Sequence, residues 1–124
     1  MSSVTYEFLQ DCSVFFLATI DRDTPALRPF GAVMEYNDEL YFSTGNTKAV
    51  YAQMIANPNI QIAAIKNGTR EGVRISGKAI EVNDLSVKQI MMENCPALLK
   101  RFKSNADEHF ALFKVTEMDS ILNL

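Results

Sequence analysis

The chain has 124 residues and a formal charge of −3, from 12 basic and 15 acidic side chains. Hydrophobic residues make up 48% and charged residues 22%, which excludes disorder as the main state and suits one core and a single domain over 1–124. The acidic balance, a pI near 5.1 and the lack of any Lys/Arg run argue against nucleic acid as the principal partner.

Val4, Phe8, Leu9 and Cys12 recur at helical spacing, which predicts a short helix over 3–12. Val14 to Ile20 is a β-rich apolar run, and Asp21-Arg-Asp-Thr-Pro25 reads as the turn of a hairpin. Leu27 to Tyr36 is the second strand, with Pro29 marking an edge, a bulge or a broken ladder. Asn37-Asp38 is a turn signal, and Leu40 to Thr44 is the third strand. Val50, Tyr51, Met54 and Ile55 form a helical stripe over about Thr47 to Ala56, with Asn46 or Thr47 as cap and Asn57-Pro58 as stop. Ile60 to Lys66 and Gly72 to Val82 flank Asn67-Gly68, a strong hairpin signal, and Gly77 marks a bulge or a close backbone approach. Asp84 caps a helix carrying Leu85, Ile90 and Met91, and Pro96 opens a shorter one with Leu98, Leu99 and Phe102. Phe110 to Val115 is the last strand, and Ile121-Leu122 extends it.

Short connections between most of these strands imply antiparallel neighbours. The expected architecture is mainly β: a six-stranded antiparallel barrel with peripheral helices. Cys12 and Cys95 are too few and too far apart for a disulfide scaffold or a zinc site, so no metal is expected. The N-terminus lacks a signal-peptide pattern, and no apolar stretch approaches the ~20 residues that a membrane helix needs. The expectation is a cytoplasmic protein with no membrane association.

Chemistry concentrates in two segments, Leu27-Arg-Pro-Phe-Gly31 and Ser43-Thr-Gly-Asn-Thr-Lys48. The second lies at a strand-to-helix junction. A helix N-terminus offers unpaired N–H groups and a positive dipole end, Gly45 permits a sharp turn, and Ser43, Thr44, Asn46 and Thr47 add short polar side chains. Lys48 opposes the dipole in the first helical turn unless an anion sits beside it, which hints at a phosphate. Ordinary capping beside a solvated lysine would look the same. Neither GxxxxGK[ST] nor GxGxxG occurs. Arg28 faces outward by strand alternation, or else Pro29 and Gly31 bend the backbone open to a flat ligand.

In this order the segments FFLATID, RPFGAVMEYNDELYFSTGNTKAVYAQMIANPNIQI and GVRISGKAIEV resemble the pyridoxamine 5′-phosphate oxidase-like family of FMN-binding split β-barrels. The likeness is greatest to its short flavoprotein branch. It implies a split barrel that forms a homodimer, with FMN in clefts at the subunit interface. Arg28 and Lys48 then match the basic pair on the FMN phosphate. Arg28, Pro29, Phe30, Gly31 and Val33 match the strand along the isoalloxazine ring. Ser43 and Thr44 match the strand end that touches the flavin, and Thr47, with Asn46 as a weaker candidate, lies near the phosphate.

Three departures bear on substrate. A family lysine is replaced by Val33, a flavin-touching glutamine by Gly72, and the C-terminal extension of the oxidase has no counterpart before Leu124. The flavin site is therefore expected to be kept and pyridoxamine phosphate not to be the substrate. One reading is an FMN-dependent oxidoreductase in which the cofactor carries the chemistry and no side chain is assigned as catalytic. The alternative is a non-catalytic carrier or sensor of flavin, haem or deazaflavin. His109, the single histidine, is read as a surface or packing residue, and Tyr36, Tyr41 and Tyr51 are candidates to flank the flavin.

Overall fold

The computed structural model describes residues 4–12 and 14–122; the expected helix start at residue 3 lies outside them. Helix α1 (Val4–Gln10) precedes a hairpin of β1 (Phe15–Asp21) and β2 (Thr24–Phe30). A second hairpin, β3 (Val33–Tyr36) and β4 (Glu39–Gly45), leads into α2 (Ala49–Ala56). A third pairs β5 (Asn59–Ile65) with β6 (Gly72–Glu81). Helix α3 (Leu85–Asn94), a 3-10 helix (Pro96–Lys100) and the long β7 (Phe110–Leu122) complete the described chain.

All strands pair antiparallel in one sheet of order β2-β1-β5-β6-β7-β4-β3. The sheet does not close, because β2 and β3 form its two edges. This is the expected split-barrel class with seven strands rather than six. The extra strand comes from one place: the segment predicted as a single strand from Leu27 to Tyr36 is cut at Gly31-Ala32. Its halves run on opposite edges. Pro29 is tolerated because β2 is an edge strand, where one face of the ladder needs no donor.

Local chemistry explains the turns. Asn37 and Asp38 both take positive φ, 52° and 62°, between the partners Tyr36 and Glu39. That is the two-residue hairpin geometry whose twist matches the strands, and Asn and Asp tolerate it best after glycine. Gly68 takes φ 75° in the β5–β6 turn. The β6–β7 register shifts between Ser76 and Lys78, as the glycine between them suggested. A Cβ on Gly77 would stand 2.6 Å from Val115 Cγ1 and 2.8 Å from the Thr116 carbonyl, so only glycine fits this approach. The Asp84 side chain accepts from the Ser86 and Val87 amides, capping α3 as predicted. Hydrogen bonding by the Ser86 hydroxyl and these amides lowers the Asp84 pKa.

Two cores form. The first takes Phe15 and Leu17 of β1, Ile60, Ile62 and Ala64 of β5, Phe42 and Phe113, with α1 and α2 contributing Leu9, Val50 and Met54. The strict alternation of β5, exposed then buried throughout, is what a half-covered strand requires. The second core lies beneath α3 and the 3-10 helix, with Met34, Tyr41, Met91, Leu98, Phe102 and Leu112. Burial of such side chains stabilises by about 1.5–3 kcal/mol each before entropy is counted. Both cysteines are free thiols, with Cys12 donating to the Phe8 carbonyl and Cys95 to that of Val33. No described helix is long and apolar enough to cross a membrane.

Candidate functional site

A cleft of about 810 Å3 opens where the ends of β2 and β4 and the start of α2 meet the segment between the 3-10 helix and β7. Arg28, Pro29, Phe30, Gly31, Ser43, Thr44, Thr47 and Lys48 all line it. Two segments separated by eleven residues in sequence thus form one wall. Phe30 is fixed there by Phe15 and Phe42, with ring centroids 5.8 and 5.9 Å away. Such pairs add about 0.5–1.5 kcal/mol beyond area burial.

Val33 and Asn46 are not on that lining. Beyond the break at Gly31-Ala32, Val33 opens the opposite edge strand and packs against the first core. Asn46 donates through Nδ2 to the Glu108 carbonyl at 2.7 Å and meets His109 Nδ1 at 3.1 Å. The three tyrosines are also elsewhere. Tyr51 donates to Glu81 Oε1 at 2.8 Å, which raises its pKa, and Tyr36 and Tyr41 face each other in the second core region.

Arg28 does not simply face solvent. Its Nη1 donates to Thr19 Oγ1 at 2.8 Å and the Leu17 carbonyl at 3.2 Å, and its Nη2 to Gln53 Oε1 at 2.8 Å. Thr19 Oγ1 in turn donates to Gln53 Oε1 at 2.6 Å. The guanidinium is half-buried and its pKa is lowered by that burial, yet it stays a cation. Every one of these partners is neutral. Among the described residues no ion pair includes Arg28, Lys48 or Arg101.

The start of α2 differs from expectation. Lys48 itself is the N-cap residue, φ −84° and ψ 150°, and no side chain caps the helix. Neither Asn46 nor Thr47 does so: Asn46 is engaged with residues 108 and 109 instead. Gly45 is the buried last residue of β4, without positive φ, so it is not a sharp-turn glycine. The first amides of α2 therefore keep their anion-binding character beside a full positive charge.

Ser43 gives the decisive observation. It is 7% exposed, it lines the cleft, and its Oγ is the one buried side-chain polar atom without a partner among the described residues. An unpaired buried hydroxyl costs about 1–3 kcal/mol, so a partner from outside the chain is the natural remedy. A Cβ on Gly31 would meet nothing within 4 Å, so the lining is open there too. An orphan hydroxyl, an uncapped helix start and two cations without counter-ions fit a phosphorylated ligand.

The other wall went unforeseen. Leu98, Arg101, Phe102 and His109 line it. Phe102 and Phe110 hold it together with ring centroids 4.9 Å apart. Pairing of Gly45 with Phe110 brings this segment alongside the Ser43-to-Lys48 wall. No local motif announces such a contact. His109 is exposed, as expected, and the residue also borders the cleft. No cluster of three metal-ligating side chains forms among the described residues.

The family model described as pyridoxamine 5′-phosphate oxidase matches residues 3–121. The chain belongs to the pyridoxamine 5′-phosphate oxidase family. Within solved structures it is similar to a NimC/NimA family protein from Clostridium acetobutylicum, at 37% identity and TM-score 0.90, covering 96% of this chain and 82% of that one. A pyridoxamine 5′-phosphate oxidase-related, FMN-binding protein from Nostoc punctiforme shares the fold at 18% identity and TM-score 0.70, covering 87% and 73%. So does the haem storage protein of Vibrio cholerae, at 17% identity and TM-score 0.76, covering 95% and 91%. The curated proteins yield no match. These neighbours share the fold, and their names differ in what each of them binds.

Proposed function

We propose that this member of the pyridoxamine 5′-phosphate oxidase family is an FMN-binding oxidoreductase acting on a small molecule other than pyridoxamine phosphate. The observation that carries the reading is the orphan Ser43 Oγ on a cleft that also holds Arg28, Lys48 and the uncapped start of α2. Arg28, Thr47, Lys48 and the α2 amides would hold the phosphate, with charge-assisted hydrogen bonds supplying most of the grip. Pro29, Phe30, Gly31, Ser43 and Thr44 would bound the ring system. When bound, the flavin supplies the redox chemistry, and the chain contributes orientation and electrostatics. Val33 is apolar and sits off the cleft, which supports a substrate without the oxidase's phosphate.

The functional unit in this reading is a homodimer in the cytoplasm, with the partner copy completing each cleft. Exposed apolar side chains support it. Phe16, Leu27 and Ile65 are 44, 67 and 62% exposed on β1, β2 and β5. Phe16 pairs across to Pro29 and Ala63, and Ala18 to Leu27, so these residues share the outer face of the sheet. That face runs into the cleft through Val14 and Pro29.

A second reading, a non-catalytic haem carrier, is favoured by one observation: His109, a residue type that can ligate haem iron, borders the cleft. The absorption spectrum of the purified protein separates the two. Flavin bands that bleach on addition of a nicotinamide donor support the oxidoreductase. Flavin bands that never bleach support a flavin carrier, and a haem spectrum supports haem storage.

A further inference from the structure

Arg28 is held by a closed set of hydrogen bonds in which the role of each partner is fixed. A guanidinium offers N–H donors and no acceptor, so every atom it pairs with must accept. Nη1 uses both its hydrogens, on Thr19 Oγ1 at 2.8 Å and the Leu17 carbonyl at 3.2 Å, and Nη2 uses one on Gln53 Oε1 at 2.8 Å. The Thr19 hydroxyl therefore accepts from Arg28 and gives its own hydrogen to Gln53 Oε1 at 2.6 Å. Only the oxygen of the Gln53 amide can take both donors, so the orientation of that amide is fixed as well. Thr19 is 2% exposed, and Gln53 is half-buried on α2.

This set leaves one edge of the guanidinium open. Thr19 Oγ1 and Gln53 Oε1 touch each other and bind neighbouring nitrogens, so they occupy the edge between Nη1 and Nη2. Nε–H and the outer Nη2–H have no partner among the described residues. These two lie along one side of the group and match two oxygens of a phosphate in parallel. Arg28 lines the cleft, whereas Leu17, Thr19 and Gln53 do not, so the acceptors hold the group from behind. The charge is also left intact. A sheltered arginine is ordinarily paired with a carboxylate, but all three acceptors here are neutral and no ion pair among the described residues includes Arg28. We propose that Gln53, backed by Thr19, is a positioning residue that selects for a phosphorylated ligand: it fixes the Arg28 fork while leaving its positive charge uncompensated. This rests on the flavin reading above and deepens it by naming what makes the site prefer the phosphate. The selection lies in the difference between an amide and a carboxylate at one position. A carboxylate there would accept the same hydrogen bonds and cancel the charge that the phosphate needs.

Gln53→Glu in the full chain separates this role from a structural one, by fluorescence titration with FMN and with riboflavin and by chemical denaturation of the unliganded protein. FMN should bind about 10-fold more weakly, riboflavin should change less than about twofold, and stability should hold or rise. A merely structural Gln53 would move affinity and stability in the same direction. Ala52→Glu adds the same charge at an exposed position of the same helix and should weaken FMN less than about threefold. Unchanged FMN affinity in Gln53→Glu overturns the proposal. So do an equal loss for riboflavin, an equal loss in Ala52→Glu, and a destabilised Gln53→Glu protein. Any of these results in a chain whose wild type binds FMN overturns this inference alone. Failure of the wild type to bind FMN overturns the flavin reading and this inference with it.

Discussion

The two walls of the cleft were built by different means. The first wall joins two short runs, Arg28 to Gly31 and Ser43 to Lys48, and in the second of them strand end, helix start and basic residue follow one another. The facing wall, with Leu98, Arg101, Phe102 and His109, comes from a segment some fifty residues later and reaches the site only through β4–β7 pairing. The first wall carries features that ask for a phosphorylated ligand: the uncapped amides and Lys48 for its phosphate, and the orphan Ser43 hydroxyl for the ring system. The second carries a hydrogen-bonded imidazole and an exposed guanidinium. The first wall is the one that binds the cofactor in the proposed function.

Substitutions should separate the two. The largest effect is expected at Arg28→Ala and Lys48→Ala, each weakening FMN about 10- to 100-fold, since charge-assisted hydrogen bonds contribute roughly 1.5–3 kcal/mol each. Affinity for riboflavin, which lacks the phosphate, should hardly change; fluorescence titration checks both. Next, Ser43→Ala removes a buried hydroxyl that has no partner in the chain. It should raise the stability of the unliganded protein by about 1 kcal/mol and weaken FMN several-fold, by chemical denaturation and titration respectively. An opposite sign in stability would mean that Ser43 Oγ is already satisfied.

Arg101→Ala should change FMN affinity less than about twofold, because a solvent-exposed cation contributes little unless a ligand charge lies against it. A loss as large as that at Lys48 would move the phosphate to the second wall. The smallest effect concerns Asp107. Hydrogen bonds from the Lys103 and His109 amides lower its pKa from the usual 3.8. A depressed carboxyl contributes stability above its unfolded value and loses it as pH falls through the folded one. Thermal midpoints of wild type should therefore fall more steeply below about pH 4 than those of Asp107→Asn.

Much of the fold was legible because its signals are local. The Asn37-Asp38 and Asn67-Gly68 turns, the Asp84 cap and the alternation of β5 each need only a few adjacent residues. Gly77 was legible as a bulge, although the clash that forces it lies on β7. The cut at Gly31-Ala32 was not, since strand propensity runs on from Leu27 to Tyr36 and only the sheet's edges separate the halves. Val33 lost its expected place at the site for that reason. Asn46 reads as a cap by composition, but the nearby loop at residues 108 and 109 competed for its side chain and won. Eight of the ten predicted cofactor residues lie on the cleft because they belong to two short runs. The second wall had no run of its own to read.

The central claim is that the first wall grips a phosphate. Comparing FMN with riboflavin on the wild-type protein tests it most directly, because the two ligands differ only in that group. FMN should bind about 100-fold tighter or more, with that advantage cut about 10- to 100-fold in Lys48→Ala. Equal affinity for the two ligands would contradict it.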